Sequence, residues 1–251
     1  MTYVLQSNEL VIALLIDGDN VKSDYIDVIE KELAITGNTT YKRLYYTFKN
    51  SMPKGWNEVC NTHALTVRQV LPYAKSNGSV KNVADSALII EAMDILYSGN
   101  VNCVCIVASD SDYTNIVKRL RESNIRVIGM GEKHTPVAFV KACDEFKYLE
   151  DLHAQYDGMV DDEAAEDVEV EEQQSMTPSK YEIENFVVNM LRSAGKKLDA
   201  GETKKRICNM WPSFNEKNYG HSKISKFFES MNSIHTIQEK GGNLNIDLKN
   251  R

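Results

Sequence analysis

The sequence lacks the features that mark membrane-spanning or secreted proteins. None of its apolar runs reaches the length of about eighteen residues from which a transmembrane helix is predicted. The first ten residues contain neither a basic segment nor a long apolar one, so they predict no secretory signal. The five cysteines include no C-x-x-C pair and the five histidines are scattered, which predicts neither a disulfide framework nor a zinc site. We expect a cytoplasmic protein with reduced thiols.

Negative charge is concentrated in one stretch of the chain. The formal net charge is −7, yet residues 1–149 carry 16 basic and 17 acidic side chains. Residues 150–175 carry 11 acidic side chains and no basic ones, whereas residues 176–251 carry 13 basic and 8 acidic ones. Because the acidic stretch repels itself and lacks apolar periodicity, we expect residues 151–177 to form a disordered linker. The sequence thus predicts a domain at 1–150 and another at 178–251.

Strand and helix patterns alternate through the first domain. The apolar run that begins at Val11 and a second one at Asn102–Ala108 are typical of parallel strands buried on both faces. Between and after them lie helix patterns, from one with Ser23 as its expected N-cap to a last helix at Pro136–Leu149. This alternation predicts an α/β fold, a parallel-sheet Rossmann-like sandwich with right-handed crossovers. Three helix patterns and a glycine-turned hairpin predict that residues 178–251 form a smaller winged-helix α+β domain.

Five aspartates are predicted to meet at one edge of this sheet: Asp17 and Asp19 after the first strand, Asp85 in the first turn of a helix, and Asp110 and Asp112 after the fourth strand. The carboxyl ends of parallel strands and the amino ends of the helices that follow them share one edge. Repulsion among carboxylates raises their pKa values unless a hard cation such as Mg²⁺ or Mn²⁺ relieves it. Such a cation supports hydrolysis at phosphorus. Alternatively, the same residues only form turns and cap helices.

Two neighbours of these acids are candidates for contact with a phosphate. Asn20 follows the first acidic pair, and Lys81 precedes Asp85 by four residues, where its ammonium group would act as a point charge. The alternatives are an ordinary turn residue and an ordinary surface lysine. Glu91 and Asp94 fall on other sides of the same predicted helix, so we expect both to lie on a solvated face.

Three separated motifs carry a resemblance to a known family. They are IDGDN at residues 16–20, KNVAD at 81–85 and ASDSDY at 108–113. In this order they resemble the motifs of the NYN family of PIN-like nuclease domains, the LabA-like group. The resemblance extends over about residues 8–150, so it covers the whole of the predicted first domain.

The resemblance implies a metal-dependent ribonuclease. Its catalytic and metal-binding residues around Mg²⁺ or Mn²⁺ would be four carboxylates: Asp17, Asp85, Asp110 and Asp112. Asn20 and Ser109 also fall on motif positions and are therefore candidates for substrate binding. Three positions depart from the usual pattern, because Ser109 stands where many relatives have glycine, Tyr113 where they have phenylalanine and Glu91 where they often have aspartate.

A second resemblance concerns the basic C-terminal domain. The run MWPSFNEKNYGHSKISKFFESM and the hairpin after it resemble an OST-HTH/LOTUS domain over about residues 178–249. This implies RNA and RNA-processing proteins as partners; the sequence leaves homo-oligomerisation open and predicts no membrane contact. The candidate RNA-binding residues are Lys204, Lys205, Arg206, Tyr219, His221, Lys223 and Lys226. The cations would contact phosphates in a salt-sensitive way, and the rings would stack on unpaired bases. Core packing is the alternative interpretation of Tyr219.

The sequence therefore favours a ribonuclease that hydrolyses RNA phosphodiester bonds and carries a C-terminal RNA-binding or partner-binding domain. Two other functions stay open. The first is a catalytically inactive module that tethers RNA or proteins, because the first domain lacks a basic footprint. The second is a phosphatase that forms an aspartyl-phosphate at Asp17, because a D-x-D after a strand also suits that chemistry.

Overall fold

The computed structural model describes residues 10–48, 52, 54–72, 83–157, 178–238 and 244–249. The chain divides into two compact units, residues 1–29 with 38–164 and residues 30–37 with 165–251. Lys81, the predicted glycine turn at 240–242 and residues 158–177 of the predicted linker lie outside the described residues. Of the helices in the described ranges, none is both long enough and apolar enough to span a bilayer.

Six strands form the larger sheet in the described residues: β1 (Leu10–Asp17), β2 (Gly37–Thr47), β3 (Thr66–Val70), β4 (Cys103–Val107), β5 (Arg126–Gly131) and β6 (Glu145–Tyr148). Their order is β3-β2-β1-β4-β5-β6, and the sheet is parallel. β1 is buried along most of its length and β4 along all of it, because both are made almost entirely of apolar side chains. Such strands occupy the centre of a sheet that helices cover, so the predicted α/β fold is confirmed.

Along the chain, the helices between and after these strands are α1 (Ile26–Thr36), α2 (Trp56–Thr62), α3 (Val83–Ser98), α4 (Thr114–Glu122), α5 (Val137–Ala142) and α6 (Leu149–Asp157). Short 3-10 helices at Ser23–Tyr25 and Ser111–Tyr113 precede α1 and α4. Leu88 of α3 and Leu120 of α4 share one fully buried core cluster with Ile106 of β4. α6 extends into the predicted linker, so residues 151–157 of that linker are helical.

Two predictions about the ends of elements are wrong. The predicted helix at Pro136–Leu149 is interrupted, because α5 ends at Ala142 and β6 follows it. Asp144 holds the chain against β5: its backbone N–H donates to the carbonyl of Val127, and its carboxylate accepts the Val127 N–H at 2.8 Å. Ser23 is not an N-cap, because the 3-10 turn starts at this residue and buries it, and its hydroxyl donates to Asp24.

The second unit contains the helices α7 (Lys180–Ala194), α8 (Ala200–Met210) and α9 (Ile224–Glu229) and the strands β7 (Leu198–Asp199), β8 (Ile234–Gln238) and β9 (Leu244–Leu248). The strands form an antiparallel sheet in the order β7-β9-β8. α7 begins with a capping box between Ser179 and Glu182 and ends at Gly195, whose φ of 63° suits glycine. The three predicted helices and the two predicted strands are present, whereas β7 and the 3-10 helix Glu216–Tyr219 were not predicted.

Candidate active site

The strands β1 and β4 bring acids from distant parts of the sequence to one edge of the sheet. They pair in parallel with Ile16 opposite Val107, so Asp17 at the end of β1 and Asp110 after β4 belong to the same edge of the sheet. Asp85 lies in the first turn of α3, and α3 packs against β1. The candidate site is therefore the edge of the sheet at which β1 and β4 have their carboxyl ends.

Asp17 is the most enclosed acid of this edge. Its side chain is fully buried, and both of its carboxylate oxygens accept hydrogen bonds. Oδ1 accepts the backbone N–H of Asp19 at 3.1 Å, and Oδ2 accepts the side-chain amide of Asn20 at 2.7 Å. The predicted substrate contact Asn20 thus holds Asp17 in place in this structure.

Tyr113 connects Asp17 with Asp85. Its hydroxyl lies 2.8 Å from Oδ2 of Asp17 and 2.9 Å from Oδ1 of Asp85. Because a phenol has one proton, it can donate to only one of the two carboxylates at a time, and the two share it. Tyr113, Asp85 and Asp17 are all buried, so this bridge lies inside the protein.

Burial and mutual repulsion set the charges at this edge. Burial raises the pKa of Asp17 to about 6, although hydrogen bonds from Tyr113 and Asn20 lower it, and the charge of Asp85 adds to the rise. Burial also raises the pKa of Asp85, and three other aspartates, Asp110, Asp112 and Asp19, increase it further. The pKa of Tyr113 is raised by burial and by the two adjacent carboxylates, so its hydroxyl stays protonated. Burial and the neighbouring aspartates therefore both disfavour the charged forms of Asp17 and Asp85.

Two of the three outer aspartates, Asp19, Asp110 and Asp112, accept hydrogen bonds from the backbone. Asp19 is exposed, and its carboxylate accepts the N–H of Thr47 at the end of β2, with both oxygens within 3.2 Å. Asp110 caps the 3-10 helix that follows β4, because its Oδ1 accepts the N–H of Asp112 at 3.0 Å. Asp112 itself is exposed. The structure places these acids near Asp85 but ties two of them to the backbone.

Ser109 also has a structural contact at this edge. Its hydroxyl accepts the backbone N–H of Glu132 at 2.9 Å, which connects the end of β4 to the segment after β5. Lys81, the other predicted phosphate contact, lies outside the described residues.

The expectation that Glu91 lies on a solvated face is wrong. Glu91 accepts a hydrogen bond from the hydroxyl of Tyr45 at 2.7 Å and forms ion pairs with Arg43 and Arg68, so only 17% of its side chain is exposed. The two arginines come from β2 and β3, which the linear sequence does not place beside α3. Asp94 is exposed, as expected.

Sequence reasoning missed two features of this edge. The first is the bridging hydroxyl of Tyr113, which appeared only as a departure from a family pattern. The second is Glu132, whose carboxylate lies 3.3 Å from the Nδ1 atom of His134 just after β5. The rule that directed attention to the ends of β1 and β4 applies to β5 as well, so Glu132 could have been found.

In the part of the chain that the structure describes, no three Asp, Glu, His or Cys side chains are arranged so that they could hold a metal ion. The chemistry of the donors nevertheless fits a hard divalent cation, because all of them are carboxylates and burial raises the pKa values of Asp17 and Asp85. Asp17 and Asp85 are already joined through Tyr113, whereas Asp110 and Asp112 do not complete a group with them.

Ion pairs involve several of the candidate RNA-binding residues of the second unit. Three cations are in ion pairs: Lys204 with Glu216, Arg206 with Glu202 and Lys226 with Glu229. Lys205 and Lys223 are exposed.

The two aromatic candidates lie in a ring cluster. The centre of the Tyr219 ring lies 5.1 Å from the centre of the Phe227 ring and 5.8 Å from that of the Phe214 ring. The hydroxyl of Tyr219 donates to the carbonyl of Pro178. His221 meets the ring of Phe227 edge-on at 5.7 Å. Core packing therefore accounts for the position of Tyr219.

A parallel α/β sheet with acids gathered at its carboxyl edge is the architecture of PIN-like domains. Residues 11–150 match the family description "NYN domain", and residues 178–246 match "OST-HTH/LOTUS domain". Because the first match spans more than half of the chain, the protein belongs to the NYN family. NYN domains are nuclease-like and LOTUS domains bind RNA, so both domains fit a role in RNA handling.

Comparison with solved structures supports the fold. The crystal structure of a protein of unknown function from Vibrio parahaemolyticus superposes with a TM-score of 0.51 at 21% sequence identity. The match covers 59% of this chain and 98% of the other. At this identity the likeness shows the fold alone. The comparison with curated proteins gives no match.

Proposed function

We propose that the protein is a ribonuclease that hydrolyses RNA phosphodiester bonds with Mg²⁺ or Mn²⁺, and that its C-terminal domain binds RNA or an RNA-processing protein. The observation that carries this proposal is the buried pair Asp17 and Asp85, joined by one hydroxyl at the edge where Asp110 also lies. The NYN and LOTUS matches also support the proposal, because these kinds of domain are nuclease-like and RNA-binding.

The proposed ligands of the cation are Asp17, Asp85, Asp110 and Asp112. A bound cation of this kind lowers the pKa of water and offsets the charge that develops at phosphorus. The chain itself contributes the position of the carboxylates: Tyr113 and Asn20 hold Asp17, and the cap on the 3-10 helix holds Asp110. This mechanism requires no nucleophile from the protein.

The aspartyl-phosphatase alternative is less favoured than the ribonuclease. The chain matches an NYN domain and a LOTUS domain, and these kinds of domain are nuclease-like and RNA-binding. The tethering alternative has the charge of the first domain in its favour, because residues 1–149 carry 16 basic and 17 acidic side chains and so no basic excess. We therefore keep a module that binds RNA without cleaving it as the second candidate function.

A cleavage assay with matched variants tests the proposal. End-labelled single-stranded RNA is incubated with Mn²⁺ and the full chain, with Asp110→Asn, and with Asp94→Asn as a control, since Asp94 is an exposed aspartate of α3. We expect cleavage that EDTA abolishes, a loss of about 100-fold in Asp110→Asn, and no change in Asp94→Asn. Equal cleavage by the full chain and Asp110→Asn would contradict the proposed site. RNA binding without any cleavage would favour the tether.

We further propose that the NYN domain occupies residues 1–150, the linker 151–177 and the LOTUS domain 178–251, and that the protein acts in the cytoplasm. All five cysteines are free thiols in the structure, which is consistent with a reducing compartment.

A further inference from the structure

The hydroxyl of Tyr113 occupies the space between the two most buried acids of the edge. It lies within 2.9 Å of both carboxylates, and the side chain of Tyr113 is fully buried. The ring packs near that of Phe139, with 6.2 Å between the ring centres. Because the core fixes the ring, the hydroxyl has a defined position from which it can orient both carboxylates.

The bridge leaves the two carboxylates able to bind a cation. A carboxylate offers about four lone-pair sites. At Asp17 the Tyr113 hydroxyl, the Asn20 amide and the Asp19 N–H leave about one of them, on Oδ1, whereas at Asp85 the hydroxyl takes one. Without the hydroxyl, two like charges would face each other across a buried gap and would rotate apart. The bridge therefore holds Asp17 and Asp85 side by side while it leaves other oxygen positions available.

We propose that Tyr113 is a positioning residue, whose hydroxyl holds Asp17 and Asp85 in the arrangement that a divalent cation requires. This inference rests on the proposed function, because it takes the two aspartates to be ligands. Hydrogen-bond partners of metal-binding carboxylates typically contribute 10- to 100-fold to metal affinity. A phenylalanine at this position keeps the ring in the core and removes only the bridge.

Tyr45 provides a matched control. It is also a fully buried tyrosine, and its hydroxyl also donates to a carboxylate, that of Glu91 at 2.7 Å. Glu91 is not among the proposed ligands. Tyr45→Phe therefore removes the same kind of hydrogen bond as Tyr113→Phe, at a place where no effect on the cation is expected.

Titration of the full-length protein with Mn²⁺, followed by the electron paramagnetic resonance signal of the free ion, measures binding without reference to activity. We expect equal Mn²⁺ affinity for the unaltered chain and for Tyr45→Phe, and a loss of about 10- to 100-fold for Tyr113→Phe. Circular dichroism melting confirms that each variant is folded before it is titrated. Mg²⁺ competition against the bound Mn²⁺ repeats the comparison with the second cation.

The possible outcomes separate this inference from the proposed function. If the unaltered chain binds Mn²⁺ and Tyr113→Phe binds it within about twofold or more tightly, the positioning role is wrong and the metal centre stands. Equal losses in both tyrosine variants would also overturn the positioning role, since the effect would then belong to packing. If the unaltered chain binds no Mn²⁺, the metal centre fails and the inference fails with it.

Discussion

At the scale of single residues, the folded chain carries an energetic cost at Asp17. Burial raises the pKa of this carboxyl from 3.8 to about 6. The folded protein therefore keeps a proton that the unfolded chain loses over this pH range. The stability that the protonated group contributes is fully present below pH 3.8 and is lost as the pH rises to about 6. At neutral pH, Asp17 thus destabilises the metal-free protein.

Asp17→Asn should consequently stabilise the metal-free protein while it removes a proposed ligand. A shift of about 2 pKa units corresponds to at most about 3 kcal/mol, and we expect a gain of about 1–3 kcal/mol at pH 7.5. The gain should shrink towards pH 4, where Asp17 is protonated. Urea unfolding with EDTA at both pH values measures it. A variant that is less stable at pH 7.5, or a gain that is the same at pH 4, would contradict this reading of the site.

The sequence predicts some residues of the edge better than others. Asp17 ends one apolar strand and Asp110 comes after another, and the parallel pairing of these strands puts both strand ends at the same edge of the sheet. The orientation of Asp19 depends instead on the N–H of Thr47 in another strand. The bridge of Tyr113 depends on three distant segments at once, and no local pattern contains that information.

At the scale of elements, the end of β5 lies unusually close to the end of β4. A Cβ atom on Gly131 would lie only 2.4 Å from the carbonyl oxygen of Ala108 and 2.6 Å from the hydroxyl of Thr135. Real Cβ atoms do not approach a backbone oxygen so closely, so only glycine fits here without a shift of the chain. Ser109 and Asp110 come directly after Ala108. The close approach of β5 to β4 at Gly131 therefore helps to fix the position of Asp110.

Gly131→Ala should destabilise the protein by about 1–3 kcal/mol, because the added methyl group forces the ends of the two strands apart. We also expect slower RNA cleavage, since Asp110 moves with the end of β4. Thermal unfolding and the cleavage assay measure the two effects. Unchanged melting and unchanged cleavage would show that the strand ends tolerate the methyl group and do not position the acids.

The strand β6 is one of the elements that the sequence did not predict. β6 has four residues, all of intermediate exposure, and two of them are charged, so it has neither an apolar run nor a clear alternation. The apolar residues before it continue the spacing of a helix, which is why one long helix was expected. Its pairing with β5, with Ile128 opposite Glu145, is a tertiary contact that propensity does not encode.

At the scale of the whole molecule, acidic and basic charge are separated along the chain, with the basic excess in residues 176–251. We therefore expect the affinity of residues 176–251 for RNA to fall as the salt concentration rises. The contribution of each lysine should depend on whether an acidic side chain already pairs with it. Lys223 and Lys226 lie three residues apart and are both exposed, but Lys226 forms an ion pair with Glu229 at 2.8 Å. This pair of lysines offers a matched comparison.

Lys223→Ala should weaken RNA binding more than Lys226→Ala does. A lost phosphate contact lowers the slope of log K against log salt concentration by about 0.7 for a single strand. We expect this change in Lys223→Ala and a smaller one in Lys226→Ala, measured by fluorescence anisotropy with single-stranded RNA at several salt concentrations. Equal slopes for Lys223→Ala and the unaltered chain would remove Lys223 from the RNA-binding surface.

Asp17, Asp85 and Asp110 are proposed to hold one divalent cation together. A crystal soaked in Mn²⁺ and measured at a wavelength where manganese scatters anomalously shows whether they do. We expect an anomalous peak at bonding distance from Asp17 and Asp85, with Asp110 as a further ligand. A well-diffracting soaked crystal with no peak at this edge, or with manganese bound only elsewhere, would overturn the proposed site.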